Sequence, residues 1–177
     1  MRMNCVANMC LNIFDCVLSP SSAVYLSTPV TTGERFYRWV KGGGAPHAPS
    51  RTIISDNTEF ANTTAEHLRK ITNKGVINPA AFYQESWTQQ MYLSFWVDVI
   101  TRFASEVWFN DGWEFSNGCT YEFCAAFEAG IPCFSLDGQR IEPAHAIELI
   151  SVAIKKMSLV YMNTASLEST LSTLRKM

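Results

Sequence analysis

The sequence predicts an α/β fold in which a central parallel sheet of about five strands is covered by helices on both faces. Three observations predict it. Residues 106–138 read as strand, polar loop, helix, strand, which is a βαβ unit with a parallel sheet and a right-handed crossover. Short apolar runs that fit buried strands recur along the chain and alternate with segments of helical spacing. Of the 177 residues 47% are apolar, enough for one core in one domain.

The βαβ unit carries the clearest signals. Val107, Trp108 and Phe109 form an apolar strand, and Asn110, Asp111 and Gly112 end it with turn chemistry. Ser116, Asn117 and Gly118 start a helix, and Phe123, Ala126 and Phe127 give it one apolar face. Gly130 stops it, and residues 131–136 read as the next strand. Glu122 lies about one turn into this helix, beside a loop at the carboxyl end of the strands, where ligands bind in such sheets. By spacing alone it either complements the helix dipole or faces a cleft.

From the N-terminus, residues 1–22 read as an added helix or an extension outside the main domain. Val6, Met9, Cys10, Ile13, Phe14 and Val17 have helical spacing, but the interspersed asparagines make a poor signal-peptide core. Residues 23–27 read as the first central strand. The following loop, with Thr28, Pro29, Thr31, Thr32 and Gly33, offers hydroxyls and amides suited to a sugar or phosphate. It matches neither a Walker pattern nor GxGxxG. Residues 34–41 read as a short helix. Residues 41–50, KGGGAPHAPS, read as a flexible loop with a solvated His47, and residues 51–55 as a short strand. A helix over 59–72, a strand over 76–79 and a long helix over 86–104 follow. Ser86 is its expected cap, and Met91, Phe95, Val99 and Phe103 its buried side. The aromatics of this helix are either core or a subunit interface. Asp98 on it is either solvated or a carboxylate near Glu122. Beyond the βαβ unit, the sequence predicts a helix over 142–157, a last strand over 158–162 and a terminal helix over 163–177 with Leu167, Leu171 and Leu174 on one side. The order is that of a Rossmann-like or flavodoxin-like three-layer sandwich, with residues 23–177 as a single domain.

Composition narrows the function classes. The formal net charge of −2 gives no basic field for a nucleic acid polymer. No segment has the apolar length of a membrane span. The six cysteines form no CxxC motif, and His47, His67 and His145 are widely separated, so the expectation is no metal and no cofactor. Reduced cysteines point to a cytoplasmic protein.

Four segments together resemble the nucleoside 2-deoxyribosyltransferase superfamily, which includes the nucleoside 5′-monophosphate N-glycosidases. They are VYLSTP at 24–29, VINPAAF at 76–82, DVITRFASEVW at 98–108 and, most specifically, GWEFSNGCTYEFCAAFEAGIP at 112–132. The resemblance implies that Glu122 is a nucleophile, that Asp98 assists near the anomeric carbon and that Tyr25 lies beside the nucleophile. The expected substrate contacts are Ser27, Thr28, Pro29, Gly112, Trp113, Ser116, Asn117 and Gly118. Ser116 stands where transferases of free nucleosides tend to carry aspartate and the monophosphate glycosidases a phosphate-binding serine. The loop over 28–33 departs from the pattern in lacking an arginine that some glycosidases use there. Trp113 fits either a base stack or the core. The expected function is cleavage of the N-glycosidic bond of a nucleoside or its 5′-monophosphate, by hydrolysis or by transfer. The expected partner is that small molecule, in a homodimer or higher homo-oligomer. The alternatives are a non-catalytic nucleotide-binding or sensor module and an NAD glycohydrolase.

Overall fold

The structure, a computed structural model, describes residues 5–46 and 49–177. His47 lies outside the described residues. Four parallel strands form one sheet in the order β2-β1-β3-β4, with β1 Ala23–Ser27, β2 Val76–Ile77, β3 Ala104–Phe109 and β4 Cys133–Ser135. Around them run α1 Cys5–Val17, α2 Glu34–Lys41, α3 Arg51–Thr72, α4 Gln89–Phe103, α5 Asn117–Glu128, α6 Pro143–Ser158 and α7 Ala165–Leu174. This is a Rossmann-like α/β arrangement with four strands rather than about five.

Strand order and crossover hand together place the helices. The chain leaves β1 toward β2 in one direction, then returns past β1 to β3 and on to β4 in the other. Right-handed crossovers therefore put α3 on one face and α4 and α5 on the opposite one. The side chains of β1 follow. Val24 and Leu26 pack with Ala65 and Leu68 of α3, while Tyr25 joins the larger core that includes Phe95, Val99 and Phe123. The reversal between β1 and β3 is a topological switch point, where the strand ends diverge and leave a crevice.

The expected last strand over 158–162 is a helix ending. Leu159, Val160 and Met162 give the segment an apolar reading, but Tyr161 takes φ 58°. Met162 N–H donates to the Met157 carbonyl and Tyr161 N–H to the Ser158 carbonyl, both at about 3.1–3.2 Å. That is a Schellman ending with buried Met157 and Met162 as its apolar contact, and a non-glycine residue at the left-handed position hid it. The expected strand over 51–55 is also helical. Ser50 Oγ accepts from Ile53 N–H and starts α3 there, ahead of the expected start at 59. Similarly α4 starts at Gln89, capped by Thr88 and not Ser86.

α1 belongs to the same core. Ala7 and Leu11 are buried, Phe14 lies 5.7 Å from Phe103 between ring centres, and Asp15 pairs with Arg102 at 2.6 Å. The apolar side of α1 is turned from the expected one, so Met9, Ile13 and Val17 are exposed. Phe127 on α5 is likewise exposed. The aromatics Phe95, Trp96 and Phe103 of α4 are core. All six cysteines are free. Among the described residues no helix is long and apolar enough to cross a membrane.

Candidate active site

The carboxyl ends of β1 and β3 are fastened together. Asn110 N–H donates to the Ser27 carbonyl at 3.0 Å, and Asn110 Nδ2 donates to Thr28 Oγ1 at 2.8 Å. Next to this seam a cavity of about 390 Å³ opens. Its polar end comprises Thr28, Thr31 and Thr32 from the β1–α2 loop and Ser116, Asn117 and Gly118 from the start of α5. Its apolar end comprises Phe82 and Tyr83 from the β2–α4 connection and Tyr92, Leu93 and Trp96 from α4.

Glu122 is the one carboxylate among the described residues that line this cavity, and it is 7% exposed. The pleat explains how it is held. Tyr25 and Ser27 are two apart on β1 and share a face, the face on which α5 packs. Tyr25 Oη donates to Glu122 Oε1 at 2.7 Å, and Ser27 Oγ donates to Oε2 at 2.6 Å. Each carboxylate oxygen thus receives one hydroxyl proton and keeps further lone pairs. Burial pushes the Glu122 carboxyl up to about 7 against the opposing pull of the Ser27 and Tyr25 hydrogen bonds. Burial, and after it the Glu122 charge, holds the Tyr25 hydroxyl well above its ordinary value, so it remains a donor.

One turn before Glu122 on the same helix face stands Cys119, also at the cavity. Burial and then Glu122 push its thiol up to about 12, which makes it a protonated wall group rather than a nucleophile. Ser116 caps α5, accepting from Cys119 N–H at 3.4 Å, and also accepts from Thr32 Oγ1 at 3.0 Å. Asn57 of α3 pins the threonine loop by donating to the Val30 carbonyl at 2.9 Å.

The structure therefore brings Glu122, Tyr25, Ser27, Thr28, Ser116, Asn117 and Gly118 together. Pro29 is buried behind the loop and packs on Gly33. Gly112, at φ 77°, is a turn against Glu34. Trp113 is core: it is 4% exposed and stacks on Phe123 with 5.3 Å between ring centres. Asp98 is not beside Glu122. α4 turns Gln89, Tyr92, Leu93 and Trp96 to the cavity, and at about 100° per residue Asp98 falls on the opposite side of the helix. The aromatic wall was not anticipated as part of a site. Its signal was the spacing of residues 89, 92, 93 and 96, a stripe that adjoins the buried side and shares Trp96 with it.

Among the described residues no cluster of three or more His, Cys, Asp or Glu could hold a metal ion. No protein-family model, no curated protein and no solved structure matches the chain.

Proposed function

We propose that the protein cleaves the N-glycosidic bond of a nucleoside or nucleoside 5′-monophosphate, with Glu122 as the nucleophile. The observation that carries this reading is a buried carboxylate facing a cavity at the topological switch point, with a hydroxyl donor on each of its oxygens. Breaking such a bond builds positive charge on the sugar. A carboxylate below the anomeric carbon stabilises that charge and can form a glycosyl ester. Its affinity for protons near neutrality leaves a usable fraction ionised at neutral pH, and the developing cation favours the ionised form further.

The two ends of the cavity suit the two ends of such a substrate. Aromatic faces of Phe82, Tyr83, Tyr92 and Trp96 fit a planar base. The hydroxyls of Thr28, Thr31, Thr32 and Ser116, with the first amides of α5, fit a sugar or its phosphate. With no carboxylic acid besides Glu122 among the described lining residues, the proton for the departing base comes from water in this reading. The position of Asp98 away from the cavity favours a second reading, a binding module for the same ligands that does no chemistry.

The experiment is a chromatographic assay for free base. The protein is incubated with nucleosides, nucleoside 5′-monophosphates and NAD, with and without an acceptor base. Glu122→Gln runs alongside. Base release that disappears in Glu122→Gln supports the glycosidase, and a new nucleoside formed only with acceptor makes it a transferase. Binding without release from any substrate supports the binding module.

A further inference from the structure

We infer that Ser27 is a positioning residue: its hydroxyl holds Glu122 Oε2, favours the ionised carboxylate and keeps it in one orientation toward the cavity. The inference rests on the reading of Glu122 as the reacting group, but its physical content concerns the free protein. Ser27 is fully buried at the end of β1. Its carbonyl is already taken by Asn110 N–H, so the hydroxyl is not needed to complete the strand. Packing alone would be served as well by alanine, which would leave no polar atom to satisfy. The serine hydroxyl donates to Oε2 at 2.6 Å, with the Cys119 thiol as its other polar neighbour.

The two donors are not equivalent. The Tyr25 ring is locked in the core, edge-on to Trp96 with 6.0 Å between ring centres, so its hydroxyl position is fixed. The Ser27 hydroxyl is short and can rotate. When Glu122 takes up a proton on the side of Oε2 that faces Ser27, the Ser27 hydroxyl can turn from donor to acceptor by rotation about one bond. Ser27 thus sets how readily the carboxylate passes between its two forms. The other titratable groups facing Glu122 are Tyr25 from β1 and Cys119 from α5, and both keep their protons at neutral pH. Among the described residues, α4 and the threonine loop bring no charged side chain to the cavity.

The test reads Glu122 directly. Protein labelled with ¹³C at the glutamate side-chain carboxyls is titrated across neutral pH, and the Glu122 signal is assigned by its loss in Glu122→Gln. In Ser27→Ala the midpoint rises by about one pH unit or more, the size of one hydrogen bond to a charged group. In Ser27→Cys, whose thiol is a weaker donor, it rises less. An unchanged midpoint in Ser27→Ala overturns the inference. The titration needs no substrate, so its outcome stands whether or not any base is released, and its failure leaves the base-release assay untouched. Where base is released, the acid limb of kcat moves with the midpoint while KM holds. A change in KM alone overturns the inference and makes Ser27 a substrate contact.

Discussion

Tyr25 Oη lies 2.7 Å from Glu122 Oε1, a contact between residues 97 positions apart in the chain. Neither residue is exposed, and the tyrosine proton is held on its oxygen by burial and by the neighbouring carboxylate. Tyr25→Phe removes this donor while keeping the ring that packs on Trp96. A hydrogen bond to a charged group is worth about 1.5–3 kcal/mol, or roughly 10- to 100-fold in rate. Base release at neutral pH is expected to fall by that factor and to recover partly at higher pH, as the carboxyl needs a more alkaline solution to ionise. A pH–rate profile of wild type and Tyr25→Phe measures both effects. A loss equal at every pH would mean that the hydroxyl acts on the substrate instead.

Glu122 should cost the fold stability when it is ionised. Its folded-state value, about 7, lies above the ordinary 4.5, so between these the folded chain binds more protons than the unfolded one. The stabilising contribution is complete below about 4.5 and is lost as pH rises through about 7, by roughly 3 kcal/mol in all. Glu122→Gln keeps the shape without the charge. Its melting temperature is expected to exceed that of wild type by several degrees near pH 8, with the gap closing toward about pH 5. Thermal melts of both proteins across this range decide it, and a gap that widens in acid would reverse the assigned sign.

What the sequence revealed of this arrangement follows from the reach of local pattern. The βαβ unit was legible because Val107 to Phe109, the Ser116 cap and Gly130 are strong local signals, and Gly130 does end α5 at φ 69°. Spacing from the cap placed Glu122 by the loop but left open whether it faced a cleft or only complemented the helix dipole, and it was the family resemblance that singled it out. Residues 51–55 misled because Thr52, Ile53 and Ile54 favour a strand, while Asn57 interrupts the apolar face that Ile53, Ala61, Ala65 and Leu68 complete. That asparagine is buried for a tertiary reason, its bond to the Val30 carbonyl, which no helical pattern encodes. Trp113 and Asp98 show the same limit. Whether a side chain faces a cavity, the core or solvent depends on the helix or strand packed against it.

The buried amide of Asn57 makes its own prediction. Its Nδ2 is 2.9 Å from the Val30 carbonyl in the loop whose Thr31 and Thr32 line the cavity. Asn57→Ala leaves that carbonyl without its donor and loosens the loop. A stability loss of about 1–3 kcal/mol is expected, with faster amide hydrogen exchange over residues 30–32 and weaker binding of whatever ligand occupies the polar end. Protection that stays unchanged over 30–32 would show that the loop is held by other contacts.

The same loop closes on a glycine that no other residue can replace without movement. Gly33 has φ 94° and ψ −178°, a region that is essentially glycine-only. A Cβ built there would come within 2.5 Å of Pro29 Cβ and 2.8 Å of Pro29 Cγ. Pro29 follows Thr28, so relieving the clash pulls on a cavity residue. Gly43 provides the comparison, since its φ of 99° is similarly strained for a side chain but nothing lies within 4 Å of an added Cβ. Gly43→Ala is expected to cost only backbone strain, about 1–2 kcal/mol, and to leave ligand binding and base release unchanged. Gly33→Ala is expected to cost more in urea unfolding and also to weaken the site. Equal losses of stability with an intact site in both variants would mean that Pro29 yields without disturbing Thr28.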